Sequence, residues 1–176
     1  MRILEKIATL EEPRAGHIAK VLRRDLRRVK THLHVLETLF AIHALEPHPS
    51  GTGKTLYFIC DVGLARILGA SFERRIHTWA LHEQLSQRAY RDDREHRLSF
   101  YRTSKGRFIH LFIEGSGGAC ATQILSEEKV RLRDLEVLQA FRTKNSGTSM
   151  RLYALGAQKI HFPKEKIEVA AWEAMA

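Results

Sequence analysis

The chain has 176 residues, which is the length of one medium domain or two small ones. No apolar run approaches the ~20 residues of a membrane-spanning helix, and the N-terminus lacks the apolar segment and cleavage site of a signal peptide, so we expect a cytoplasmic protein with no membrane partner. The formal net charge of +9 favours polyanionic partners, with nucleic acid as the first candidate.

The N-terminal part of the chain is predicted to hold three short helices. Apolar residues recur at helical spacing from Ile3 to Leu10, and a second helix is expected over 14–22 with Val21 facing inward. Asp25 is a good N-cap for a third helix. The inward stripe of that helix, at spacings of three and four residues, is expected to comprise Leu26, Val29, Leu33 and Leu36.

Two strands joined by a loop are expected after the third helix, over 40–47 and 55–61. Three helices followed by such a two-stranded wing predict a winged-helix domain over residues 1–61. Arginines on the outer face of the third helix are placed to contact phosphates or guanine edges. The predicted nucleic-acid-binding set is Arg24, Arg27, Arg28, Thr31, His34 and, in the wing, Lys54. A solvated helix face, or a helix docked on a protein, would explain the same pattern.

Residues 62–176 are predicted to form a second domain that mixes helices with a central sheet. Strands are expected over 98–103, 107–114, 119–125 and 150–155, followed by a closing segment from Gly156 through Trp172. Helices are expected over 62–69, 72–88 and 130–142, with Phe72 available to the core, and the charged run 91–97 is expected to be solvated. The predicted fold class is therefore α/β or α+β.

The two cysteines, Cys60 and Cys120, both fall in apolar, strand-like runs. Two reduced core thiols are the expected state, because a disulfide would require a secretory context.

Two short motifs resemble known sites but lack a residue that each site requires. The string SGTGKT resembles a phosphate-binding P-loop, but His48 stands where its first glycine is needed, and a strand rather than a helix is expected after Thr55. His82-Glu83 begins a zinc-protease pattern whose second histidine is replaced by Ser86. The sequence therefore predicts no bound cofactor and no metal.

Taken in order, several strings resemble the C-terminal region of prokaryotic AAA-type P-loop ATPases. They are LRRVKTHLHVLETLF, GKTLYFICDVGLARILG, FERRIHTWALHEQL, YRTSKGRFIHLFIEG and EEKVRLRDLEVLQAF. The resemblance implies a winged helix followed by a restriction-endonuclease-like domain, and it runs through nearly the whole chain. The ATPase half of that family has no counterpart in the sequence, so an ATPase acting in trans is a candidate partner.

The same resemblance implies that the nuclease-type site is degenerate. Where the family carries its metal-binding acids and lysine, this chain has His110, Gln123 and Leu125, and of the set only the helix glutamate, Glu73, is retained. Carboxylates hold Mg²⁺ because their charge offsets its dehydration, whereas Gln is neutral and His is a softer donor. The sequence therefore predicts no phosphodiester cleavage, and Glu73 is expected to be a helix N-terminal acid.

Three hypotheses for function follow from these patterns. The first is a non-catalytic module that binds double-stranded DNA or regulates a partner. The second is a metal-dependent nuclease with altered ligands, using His110 with Glu73 and Glu114. The third is a protein-interaction domain that works with an AAA-type ATPase in trans. The first and third are compatible with each other.

Overall fold

The computed structural model describes residues 2–91, 96–116, 118–127, 129–143, 145–156, 160–162 and 167–175. Within these ranges, no helix is long and apolar enough to cross a membrane. The helices are α1 (Arg2–Thr9), α2 (Ala15–Leu22), α3 (Leu26–Thr38), α4 (Val62–Ile67), α5 (Phe72–Arg91) and α6 (Leu132–Arg142), with a closing 3₁₀ turn over Trp172–Met175. The strands are β1 (Ile42–Pro47), β2 (Leu56–Ile59), β3 (Arg97–Arg102), β4 (Phe108–Gly115), β5 (Gly118–Ile124), β6 (Ser149–Ala154), β7 (Ile160–Phe162) and β8 (Ile167–Ala171). The predicted mixture of helices and strands is confirmed.

The chain divides into two compact units, and the division falls inside α5. The first unit comprises residues 1–46 and 53–82, and the second comprises residues 47–52 and 83–176. Residues 62–82 therefore cluster with the N-terminal helices, whereas the sequence pattern predicts them at the start of the second domain. The boundary at residue 61 remains a prediction about domain organisation.

The core of the first unit is built from the apolar stripes of its three N-terminal helices and from the β1–β2 hairpin. Its buried side chains include Ile7, Ile18, Val29, Leu33, Ile42 and Ile59. The two strands pair antiparallel, with Ile42 opposite Ile59 and Leu45 opposite Leu56. Val21 and Leu26, both expected to face inward, are instead 42% exposed. Each lies at the edge of its stripe, where helical spacing alone does not separate a core position from a flank.

A buried arginine on α5 joins this helix to α1 and to β2 within the first unit. One Nη atom of Arg74 donates to the carbonyl oxygens of Tyr57 at 2.6 Å and Ile7 at 3.4 Å. Its guanidinium also lies 4.0 Å from the ring centroid of Phe58. Burial lowers the pKa of Arg74 to about 10, with the charge of Glu73 opposing that shift. The side chain is therefore still charged near neutral pH, and its hydrogen bonds offset its desolvation.

The second unit is organised on strands in the order β3-β4-β5-β6-β8-β7. Neighbouring strands are antiparallel from β3 to β5 and between β8 and β7, whereas β5–β6 and β6–β8 are parallel. Helix α6 packs on β4, β5 and β6. The core beneath α6 includes Leu135, Leu138, Phe141, Ile109, Phe112, Ala121, Leu152 and Val169.

Strands β7 and β8 fall in the closing segment, where the sequence pattern predicts no strand. Ile167 and Val169 alternate toward the core, and β8 lies beside β6 rather than beside β7 alone. Its short alternating run becomes a stable strand because β6 provides a parallel partner, with Leu152 opposite Val169. Phe72 was expected in the core but is 48% exposed, because it begins α5 at the surface.

The loop between β1 and β2 is not a free tip, since residues 47–52 belong to the second unit. The backbone N–H of His48 donates to the carbonyl oxygen of Phe100 at 2.7 Å, and that of Thr52 donates to the carbonyl oxygen of Arg102 at 2.8 Å. The His48 ring meets the Phe112 ring edge-on, at 4.5 Å between centroids. The start of the P-loop-like string is therefore hydrogen-bonded to β3, whereas Gly53 and Lys54 are exposed. The strand that follows the string is β2, as expected.

Replacing Arg74 with methionine is expected to lower the free energy of unfolding by about 1–3 kcal/mol, because two buried carbonyl oxygens lose their donor. Denaturant unfolding monitored by circular dichroism measures the change. Arg75→Met is the matched control. The Arg75 guanidinium lies 5.5 Å from the Phe72 ring centroid, a longer and weaker contact than the 4.0 Å between Arg74 and Phe58. Equal stability of Arg74→Met and the unaltered chain would contradict this account.

The Cys60 thiol is expected to react slowly with alkylating reagents in the folded protein. Burial raises its pKa to about 11 from 9.0. Because the thiolate is the nucleophile, this shift lowers the reactive fraction at pH 9 roughly fiftyfold. Iodoacetamide alkylation of a Cys120→Ser variant, which leaves a single thiol, should be correspondingly slower in buffer than in urea. Similar rates in the two conditions would show that burial does not protect the thiol.

Candidate nucleic-acid interface and the degenerate nuclease-like site

The exposed face of α3 carries a concentrated positive charge. Residues 20–30 contain six lysines and arginines and one acid, Asp25. That acid is the N-cap of α3, and its carboxylate accepts the backbone N–H of Arg28 at 3.1 Å. Its negative charge therefore lies at the helix N-terminus, where it satisfies a backbone donor. The flanking cations extend into solvent.

The structure exposes every residue of the predicted nucleic-acid-binding set. Helical spacing places Arg27, Thr31 and His34 on one face of α3, with Arg28 on its flank. The Thr31 hydroxyl donates to the carbonyl oxygen of Arg27 at 3.1 Å, which leaves its oxygen as an acceptor. The remaining two members lie outside the helix: Arg24 in the turn before α3 and Lys54 in the β1–β2 connection.

Arg23, which precedes this set, has an unusual backbone conformation. Its φ of 52° and ψ of 46° are left-handed, where glycine is usually found. The N–H of Arg23 donates to the carbonyl oxygen of Lys20, and that of Arg24 to the carbonyl oxygen of Ala19, which closes α2 in the hydrogen-bonding pattern common at helix C-termini. An arginine held where glycine would be less strained adds one more exposed cation to the turn between α2 and α3. The sequence shows the arginine but not its conformation, so this residue was missed.

The first degenerate position, His110, lies at a bulge in β4. Ser99 pairs with Phe112 and Tyr101 pairs with Ile109, so β4 advances three residues while β3 advances two. The extra residue falls at 110–111. There the backbone N–H of Ile124 donates to His110 Nδ1 at 3.1 Å. The imidazole thus accepts a hydrogen bond from β5, just beyond the pair formed by Leu111 and Thr122, and this nitrogen is occupied by a structural hydrogen bond.

The second and third positions, Gln123 and Leu125, face α6. Ala121 belongs to the core beneath α6, and Leu125 packs against the same core. Strand alternation places Gln123 between them on that face. Its Oε1 is buried and accepts no hydrogen bond from the residues that the structure describes. A neutral amide and an aliphatic side chain therefore occupy this face.

His110 lies on the opposite face of the strands from Gln123. Its ring contacts that of Phe108, two residues earlier, at 5.3 Å between centroids. Its neighbour Ile109 lies in the core beneath α6, so alternation turns His110 away from that core. The structure therefore does not bring these two degenerate positions together into one pocket.

The remaining residues of the nuclease hypothesis are the acids Glu73 and Glu114. Glu73 is exposed in the first turn of α5 and belongs to the first unit, whereas His110 belongs to the second. Glu114 pairs across the β3–β4 ladder with Arg97. In the described parts of the chain, no three His, Cys, Asp or Glu side chains are grouped so that they could hold a metal ion. Mg²⁺ prefers carboxylate oxygens, which the neutral amide of Gln123 and the aliphatic side chain of Leu125 do not provide.

No family model, curated protein or solved structure matches the chain. The resemblance to the C-terminal region of AAA-type ATPases therefore rests on the sequence strings alone.

Removing the His110 ring is expected to expose the Ile124 amide to exchange. His110→Ala deletes the acceptor of a buried N–H and should lower the free energy of unfolding by about 1–3 kcal/mol. His110→Asn should retain most of the stability, because its Oδ1 can take the place of Nδ1. Hydrogen exchange read at the Ile124 amide is the direct measurement. Unchanged protection in His110→Ala would mean that this hydrogen bond does not hold the strands at the bulge.

Proposed function

We propose that this chain is a non-catalytic DNA-binding or regulatory module. Its first unit acts as a winged helix that presents α3 to double-stranded DNA, and its second unit is a restriction-endonuclease-like domain with a degenerate site. The observation that supports this most is the exposed basic face of α3 and of the turn before it. Such a face provides phosphate contacts, and a helix of this length fits the major groove.

The arrangement of α2 and α3 supports the helix-turn-helix part of the proposal. A three-residue turn, 23–25, joins the two helices, and Val29 and Leu33 bury one face of α3 in the core. The opposite face, with Arg27, Thr31 and His34, remains in solvent. A recognition helix needs this division, because one face must be fixed while the other reaches the nucleic acid.

The position of the β1–β2 connection limits which residues of the wing can contact DNA. Residues 47–52 are packed within the second unit, so only Gly53, Lys54 and Thr55 remain of the connection to approach a phosphate backbone. Thr55 donates to the carboxylate of Glu46 at 2.9 Å. Lys54 is thus the wing residue with an exposed cation, and α3 carries the main interface in this proposal.

The nuclease alternative has weaker support. His110 Nδ1 is taken by the Ile124 amide, and Gln123 and Leu125 lie on the opposite face of the strands. The positions that would orient a metal and a water therefore contribute a structural hydrogen bond and core packing instead. A chain that binds DNA without cutting it agrees with both the sequence and this geometry.

Arg27→Ala combined with Arg28→Ala is expected to weaken binding to duplex DNA by about tenfold or more at low salt. Loss of two phosphate contacts should also reduce the slope of log K against log salt by about 1.8. Gel shifts across a salt series measure both effects. Lys105→Ala with Lys129→Ala removes the same charge from exposed positions in the second unit and should leave the affinity nearly unchanged. The duplex should remain uncut when Mg²⁺, Mn²⁺ or Zn²⁺ is added.

Two results would overturn the proposal. One is unchanged binding after loss of Arg27 and Arg28, and the other is an equal loss in the Lys105 and Lys129 control, which would indicate adsorption by net charge alone. Metal-dependent cutting that Glu73→Ala and His110→Ala abolish would instead support the nuclease alternative.

A further inference from the structure

A groove in the first unit lies beside the basic face and is not explained by DNA binding. It has a volume of about 790 Å³. The residues that line it come from α1, the end of α2, the turn that follows and α3, and they include Ile3, Leu4, Leu22, Val29, Val35 and Leu36. This volume is in the range of built binding sites in proteins. Its apolar floor provides no hydrogen-bond donor for a phosphate.

The apolar surface continues beyond the groove along α3. Val35 is 50% exposed, and Leu39, one helical turn further, is 68% exposed. Phe40 follows with 80% of its surface exposed and a left-handed φ of 54°. Neighbouring exposed apolar side chains, unlike single ones, mark a surface that binds a partner. These three residues, called here the α3 apolar ridge, extend the groove as a docking surface.

The rim of the groove is positively charged. Arg2, Arg24 and Arg28 line it together with His32, and no acidic residue is among its lining. A second copy of this chain would bring the same cations against one another, since a two-fold interface places the same patch on both partners. The positive rim therefore disfavours a second copy of this chain as the occupant of the groove and favours a negatively charged partner.

We propose that this groove and the α3 apolar ridge bind an amphipathic helix of a partner protein, with acidic residues flanking its apolar stripe. The apolar side chains of such a helix, spaced three and four residues apart, would lie on the floor formed by Leu4, Val35 and Leu36. Its carboxylates would meet the arginines of the rim. This is the helix-in-groove mode of recognition, with affinity from apolar burial and selectivity from charge. The inference does not depend on DNA binding by α3.

The probe is a fluorescent synthetic helical peptide of about 14 residues, long enough to form helix on binding. It carries leucines at helical spacing with flanking glutamates, and a second peptide replaces the glutamates with lysines. Fluorescence anisotropy should show saturable binding of the acidic peptide to the full chain and none of the basic peptide. Val35→Ser and Leu39→Ser should each weaken binding at least about fivefold. Ile67→Ser is the matched control, because Ile67 is 83% exposed on α4 and does not line the groove.

The outcomes separate this inference from the proposed DNA function. Arg27→Ala should leave peptide binding intact, because Arg27 does not line the groove, whereas Val35→Ser should leave duplex binding intact. The inference is overturned if the acidic peptide does not bind at concentrations up to about 1 mM. It is also overturned if Val35→Ser weakens binding of duplex DNA as much as binding of the peptide. A concentration-dependent dimer that Val35→Ser dissociates, seen by sedimentation, would also overturn it, because a second copy would then cover the groove.

Discussion

The buried guanidinium of Arg74 is the interaction on which the first unit depends. It reaches backbone carbonyls of both α1 and β2 and lies over the Phe58 ring, so α5 is joined to the beginning of the chain and to the hairpin. These contacts and the surrounding core fix the buried side of α3, which contains Val29 and Leu33. With that side fixed, the polar side is held in solvent as a rigid surface. A binding face needs such support, because an interface that must first be ordered loses affinity to conformational entropy.

Positive charge is concentrated in residues 20–30, which contain a single acid, Asp25. Asp25 is bound to the N-terminus of α3, so the neighbouring arginines gain little from it as a counter-ion. Binding of a polyanion would relieve the mutual repulsion among these cations and would release the counter-ions of the polyanion. The groove beside them adds an apolar component that nucleic acid does not use. One small unit therefore combines a surface suited to phosphates with another suited to an acidic helix, and the two share Arg24, Arg28 and Thr31.

The sequence predicts most helices and strands, whereas it predicts the pairing of distant strands and the burial of individual side chains less well. Periodicity and the Asp25 cap predict α1 to α3, and the helical pattern over 130–142 predicts α6. Strand β8 was missed because its stability comes from pairing with β6, which lies more than ten residues earlier in the chain. Side-chain exposure at Leu26, Val21 and Phe72 was wrong because each lies at the edge or start of an amphipathic helix. The bulge at His110 and the left-handed conformation of Arg23 are tertiary features that residue types alone do not reveal.

We propose that the molecule binds DNA through α3 and not through the strands that carry His110 and Gln123. A titration of ¹⁵N-labelled protein with a short duplex, followed by amide chemical shifts at moderate salt, tests it most directly. We expect the largest chemical-shift changes at Arg24, Arg27, Thr31 and His34, with little change at Ile124. Changes centred on β4 and β5, with the α3 amides unaffected, would contradict it.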